Sequence, residues 1–147
     1  MAEINVPQAE ADQLIKLEKK RKDDSEWAID VGKQIKIPLT SIDGRVDFSL
    51  DVTRSQIRLT KATFQNRARK VVVLMRLDLD GPRHRNPDGA WIECPHLHIY
   101  REGYGHKWAY PAPIDRYSNP DDMMATLGVF MRDCNITEPP IFQLGLF

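Results

Sequence analysis

Lys70-Val71-Val72-Val73-Leu74-Met75-Arg76-Leu77-Asp78-Leu79 is the stretch on which the fold class turns. Alternation along a strand places Val71, Val73, Met75, Leu77 and Leu79 on one side. The other side begins apolar with Val72 and Leu74, then becomes Arg76, Asp78 and Asp80. A strand that is apolar on both faces at one end belongs inside a sheet, covered at that end by a helix.

Working outward, five further strands are expected. Residues 35–39 and 46–52 alternate, and Ile42-Asp43-Gly44-Arg45 between them carries the Asp-Gly signature of a tight hairpin. Residues 57–64 give a third strand with Ile57 and Leu59 inward, and Gln65-Asn66-Arg67 reads as the turn into the central one. The breaker-rich Gly81–Gly89 segment is a loop. A strand over 92–101 follows, then a short one over 107–110 after the Gly103-Tyr104-Gly105 turn. Helices are expected at both ends. The first covers residues 8–22, with Pro7 in its first turn and the basic Lys19-Lys20-Arg21-Lys22 at its C-terminal end. The second is started by Asn119-Pro120-Asp121-Asp122 and buries Met123, Leu127, Phe130, Met131 and Cys134. The reading is one α+β domain over residues 1–147, with a largely antiparallel sheet of about six strands.

Composition narrows the class. With 41% hydrophobic and 29% charged residues in 147, the chain suits a globular domain with a real core. No apolar run reaches the roughly 18–20 residues of a membrane span, and the acidic N-terminus lacks the pattern of a signal peptide, so a cytoplasmic location without membrane partners is expected. Two cysteines, Cys94 and Cys134, fit neither a disulfide framework nor a zinc site.

The chemistry concentrates in Pro95-His96-Leu97-His98-Ile99-Tyr100-Arg101-Glu102. Alternation puts His96, His98 and Tyr100 on one face, and His106 follows closely. Three readings compete. In the first, His96, His98 and Glu102 hold a metal. The spacing resembles the first motif of the cupins, His-x-His-x(3,4)-Glu, which places metal ligands in a small β-barrel. The second cupin motif supplies a further downstream histidine. Here only His106 lies downstream, four residues past Glu102, and the strands are too few for a barrel. In the second reading no cofactor is needed. His96 and His98 act as acid and base on RNA, Tyr100 assists by hydrogen bonding, and cations contact phosphate. In the third, the histidines simply bond across the sheet.

Charge favours the second. The formal net charge is zero, yet residues 54–85 carry nine Lys or Arg against Asp78 and Asp80, as a polyanion-binding surface would. The expected phosphate contacts are Arg76, Arg83, Arg85, Arg101, Lys107 and His106. If the central and histidine strands pair, Arg76 stands beside the imidazoles. Small bacterial ribonuclease toxins resemble this combination of a compact sheet with scattered His, Tyr, Arg and Lys.

Several stretches also resemble a family of short, uncharacterised bacterial and prophage proteins, a domain of unknown function. They include Gln65-Asn66-Arg67-Ala68-Arg69, His84-Arg85-Asn86-Pro87-Asp88-Gly89, the His96–Gly105 run, Lys107-Trp108-Ala109, and Cys134-Asn135-Ile136-Thr137-Glu138-Pro139-Pro140. The resemblance carries no activity and transfers no catalytic residue. It implies a defence, counter-defence or toxin–antitoxin setting. The partners expected are RNA and a small antitoxin, with a non-enzymatic protein that occupies a host defence complex as the alternative.

Overall fold

The computed structural model describes residues 5–143. Its main element is an eight-stranded sheet: β1 (Lys19–Arg21), β3 (Gln34–Ser41), β4 (Asp47–Arg54), β5 (Ala62–Ala68), β6 (Val72–Asp78), β9 (His96–Ile99), β10 (Ala109–Pro111) and β11 (Ile136–Glu138). Their spatial order is β10-β9-β6-β5-β4-β3-β1-β11, and only β1 with β11 is parallel. Two small sheets are added, β2 (Glu26–Trp27) with β12 (Ile141–Phe142), and the hairpin β7 (His84–Arg85) with β8 (Trp91–Ile92). Helices α1 (Gln8–Lys16) and α2 (Met123–Asp133) complete an α+β domain. The expected class holds, with two more strands in the main sheet than the sequence suggested.

The core lies on one side of the sheet. Ile37, Leu39, Phe48, Leu50, Val52, Phe64 and Leu77 alternate inward and share one buried cluster with Ala11 and Leu14 of α1 and Leu127 and Phe130 of α2. Phe64 meets Phe130 with ring centroids 6.0 Å apart. The side chain of Asp122, not Asn119, caps α2 by accepting from the Ala125 N–H.

Four expectations shift. The first helix stops at Lys16, and the basic run becomes β1. Lys19 is fully buried there, its Nζ donating to the carbonyls of Ile15, Leu17 and Cys134. This ammonium ties the ends of both helices together, because the last carbonyls of a helix have no partner within it. Second, Ile57 and Leu59 are 92% and 65% exposed in a loop, and the third long strand begins at Ala62. Third, Gln65-Asn66-Arg67 lies within β5. The turn falls at Arg69 and Lys70, whose φ of 53° and 71° gives a left-handed hairpin turn without glycine.

The fourth shift concerns β6. Its pairing with β5 slips by one residue between Asn66 and Arg67, opposite Met75 and Val73, which leaves Leu74 as the extra residue of a bulge. A one-residue slip exchanges faces. Val72 is therefore buried opposite Ala68, Val73 faces the other way, and Val71 lies exposed in the turn. Past the bulge, Met75, Leu77 and Leu79 are inward as expected.

The opposite side of the sheet is polar, and the ladder fixes its order. Lys36, Asp51, Gln65, Arg76 and His98 form one cross-strand row. Gln34, Thr53, Thr63, Asp78 and His96 form the next. The borders of the sheet are the three-residue strands β10 and β11. On the β10 border, Asn86 donates through Nδ2 to the Ala109 carbonyl and accepts through Oδ1 from the Ala109 N–H, so a side-chain amide continues the ladder.

Candidate functional site

The two polar rows converge on Asp78. Register places it between Thr63 of β5 and His96 of β9, with Arg76 two residues away on the same face. Its Oδ1 accepts from Thr63 Oγ1 at 3.0 Å and Arg76 Nε at 2.9 Å. Its Oδ2 accepts from Arg76 Nη2 at 3.0 Å and lies 2.9 Å from His96 Nε2 and 3.3 Å from His98 Nε2. Burial alone favours the neutral acid. The bonds from His96, His98 and Arg76 outweigh it and hold this carboxyl well below the usual carboxylate range.

His96 and His98 are 2% and 3% exposed. His98 Nδ1 sits 2.8 Å from the His106 carbonyl, so Nδ1 carries a proton and donates. His98 Nε2 faces a carboxylate oxygen. With Nδ1–H committed to the His106 carbonyl, either a proton on Nε2 or a metal ion between Nε2 and the oxygen completes this contact. His96 Nδ1 lies 3.5 Å from the Cys94 thiol. Burial first, then Asp78 and Asp80, pushes that thiol up to about 11, so Cys94 is no ready nucleophile.

The other histidines close the cluster. The His84 ring stands edge-on to His98, centroids 4.7 Å apart, and lies 5.9 Å from His96. Its Nε2 is 2.7 Å from the Lys107 carbonyl, which pins the β7–β8 hairpin over the sheet. The His106 ring lies 6.3 Å from His98. Burial, and then the charges of Arg76 and His98, pull His106 below its ordinary value. A cleft of about 220 Å³ opens here, lined by Lys61, Arg76, Asp78, Arg83, His84 and His96 among others. A second of about the same size adjoins it, sharing Thr63 and Arg76 and running towards Gln34 and Thr53.

The structure brings together some of the residues expected from sequence and separates others. Arg76 pairs opposite His98, as strand pairing implied. Tyr100 leaves the cluster: it is buried in the core, donating its hydroxyl to the Val6 carbonyl and accepting from the Val6 N–H. It lies opposite the Leu74 bulge, to whose carbonyl its N–H donates. Glu102 also stands elsewhere. It accepts from the Gln8 N–H at the start of α1, so the carboxylate beside the histidines is Asp78. Arg101 stacks on Trp108 at 4.4 Å. Arg83 and Arg85 lie 4.3 and 5.6 Å from the half-exposed Trp91 ring. The side chain of Lys107 is exposed.

The basic segment is less free than its charge suggests. Arg58 pairs with Asp80, Arg67 with Asp51, Arg69 with Glu10 and Arg76 with Asp78. Arg83 and Arg85 make no ion pair among the described residues.

A family model matches residues 6–136, most of the chain. The chain belongs to DUF6978, a family of unknown function. No curated protein and no solved structure matches it. Membership thus supports the uncharacterised family expected from sequence and assigns no chemistry to the cluster. No helix among the described residues is long and apolar enough to cross a membrane.

Proposed function

We propose that this domain binds single-stranded nucleic acid, RNA in the first place, at the histidine end of its polar sheet face. The observation that carries this reading is the pairing of Arg83 and Arg85 with the exposed ring of Trp91, beside a cleft that contains Arg76 and His84. Arginines without an acidic partner attract phosphate, and an accessible indole gives a base a surface on which to stack. Arg101 with Trp108 and Tyr104 repeats the combination near His106. The reading is one of binding. Metal-free cleavage by His96 and His98 needs both imidazoles at the substrate, whereas both are buried against Asp78 and Tyr100 has turned into the core.

Fluorescence anisotropy with a labelled single-stranded RNA tests it. Binding should weaken linearly in log–log terms with salt. Trp91→Ala should cost about 1–3 kcal/mol of affinity, and Arg83→Gln with Arg85→Gln should flatten the salt slope by about 1.4. Absence of salt-dependent binding, or indifference to all three substitutions, refutes the proposal.

A different feature favours a protein partner. The exposed Leu59 lines a cleft of about 620 Å³ whose walls also include Ile29, Leu79, Pro120, Met123 and Met124. Exposed apolar surface of this kind marks protein contacts. Stoichiometric binding to a host protein that is lost in Leu59→Asp, with no affinity for RNA, would select this reading.

A further inference from the structure

Independently of nucleic-acid binding, we infer that Asp78, His96 and His98 form a site for a divalent first-row transition-metal ion. One ligand atom from each lies within 4.8 Å of the other two. The Asp78 oxygen is 2.9 Å from His96 Nε2 and 3.3 Å from His98 Nε2. Neighbouring ligands on one ion, at bonds of roughly 2.1 Å, stand roughly 3.0–3.4 Å apart in octahedral or tetrahedral geometry. The two spacings from Asp78 suit a shared ion, and the imidazole nitrogens, within 4.8 Å of one another, draw together around it.

The surroundings suit it as well. His98 donates Nδ1–H to the His106 carbonyl, which fixes the tautomer that leaves Nε2 free as a ligand. Asp78 is oriented through its other oxygen by Thr63 and Arg76. A metal ion there takes the place that a proton on His98 Nε2 would otherwise hold between the ring and the carboxylate. Two imidazoles and one carboxylate select Zn²⁺, Mn²⁺, Fe²⁺ or Co²⁺ over Ca²⁺ and Mg²⁺, which prefer oxygen. Three protein ligands leave a coordination position open, and both Asp78 and His96 line the cleft. Arg76 is the opposing influence, because its Nη2 shares the oxygen the metal would take. The site should therefore bind more tightly when that guanidinium is removed.

Tag-free full-length chain is titrated with Zn²⁺ and Co²⁺ by calorimetry and absorption. One equivalent is expected, with Co²⁺ giving visible d–d bands. Long-range ¹H–¹⁵N spectra of the imidazoles should show Zn²⁺ shifting Nε2 of His96 and His98 and sparing Nε2 of His84, a readout that needs no variant. Asp78→Asn and His98→Gln should lose the metal, while Arg76→Gln should tighten it at least threefold. The inference is overturned if the wild-type chain takes up no metal. It is also overturned if the Zn²⁺ shifts fall on His84 and His106 alone, which would show that only a proton bridges His98 and Asp78.

Discussion

Replacing Lys19 with methionine keeps the length of a fully buried side chain and removes its three donors. In the native chain Nζ donates at 2.9 Å to Ile15, 2.9 Å to Leu17 and 2.7 Å to Cys134. Each carbonyl left unpaired in a buried site costs about 1–3 kcal/mol. Against this, burial lowers the Lys19 amine from 10.5 to about 8, a drawback of about 3 kcal/mol at neutral pH that methionine escapes. The net loss expected for Lys19→Met at pH 7 is about 3 kcal/mol, or about 10 °C in Tm for a chain of this length. The difference should also depend on pH. Below about 8 the amine is charged in both folded and unfolded chains, and the burial cost is present in full. Between about 8 and 10.5 the unfolded chain keeps a proton that the folded chain has released, so native stability rises with pH in that window. Groups remote from Lys19, such as Cys94, cancel in the comparison, and the buried Cys134 thiol, pushed up by burial and only partly pulled back by the Lys19 charge, keeps its proton in both folded chains over this window. Urea melts of the two proteins at pH 7, 8, 9 and 10 read this directly. A variant as stable as the native chain at pH 7, or a gap that does not widen from pH 8 to 10, would refute the reasoning.

Two further predictions concern stability and the hairpin. Arg67→Ala strands Asp51, which is buried on β4 and also bonded to Ser49 and Gln65, and should cost about 3–5 kcal/mol in urea melts. The double variant with Asp51→Asn should recover part of that loss, and a purely additive outcome would show the pair to be uncoupled. Asn86→Ala removes both bonds to Ala109 and should release the β7–β8 hairpin, speeding hydrogen exchange at the Ala109 amide at least tenfold, or about 1.4 kcal/mol; unchanged protection there would contradict the role given to Asn86.

Where the sequence was legible, local physics and tertiary context agreed. Asp43-Gly44 makes the β3–β4 turn, with Gly44 at a φ of 77°, and the apolar stripe of α2 buries Leu127, Phe130, Met131 and Cys134. The failures came from contacts distant in sequence. Gln65-Asn66-Arg67 looked like a turn because it is polar. It holds as a strand because Asn66 donates to the Ser49 carbonyl and Arg67 pairs with Asp51 on the neighbouring strand. Lys19 looked like a solvated helix end until α2 supplied the Cys134 carbonyl. Ile57 and Leu59 alternate like a strand but pair with no strand among the described residues. At the site, a period of two placed Arg76, Asp78, His96 and His98 on faces that could meet. Only the register of β6 against β5 and β9 made Asp78 the hub, and only the Leu74 bulge explains how the far end of the same strand rejoins the core.

The sheet's two rims are short, and one is plugged. Ala109 has both outward main-chain groups occupied by Asn86, and Pro111 at the far end of that rim has no amide hydrogen to offer. An extended stranger, whether a second copy or an unfolded neighbour, finds little there to zip onto. The broad polar side, where the histidines gather, can therefore stay accessible without the molecule polymerising along its own margins.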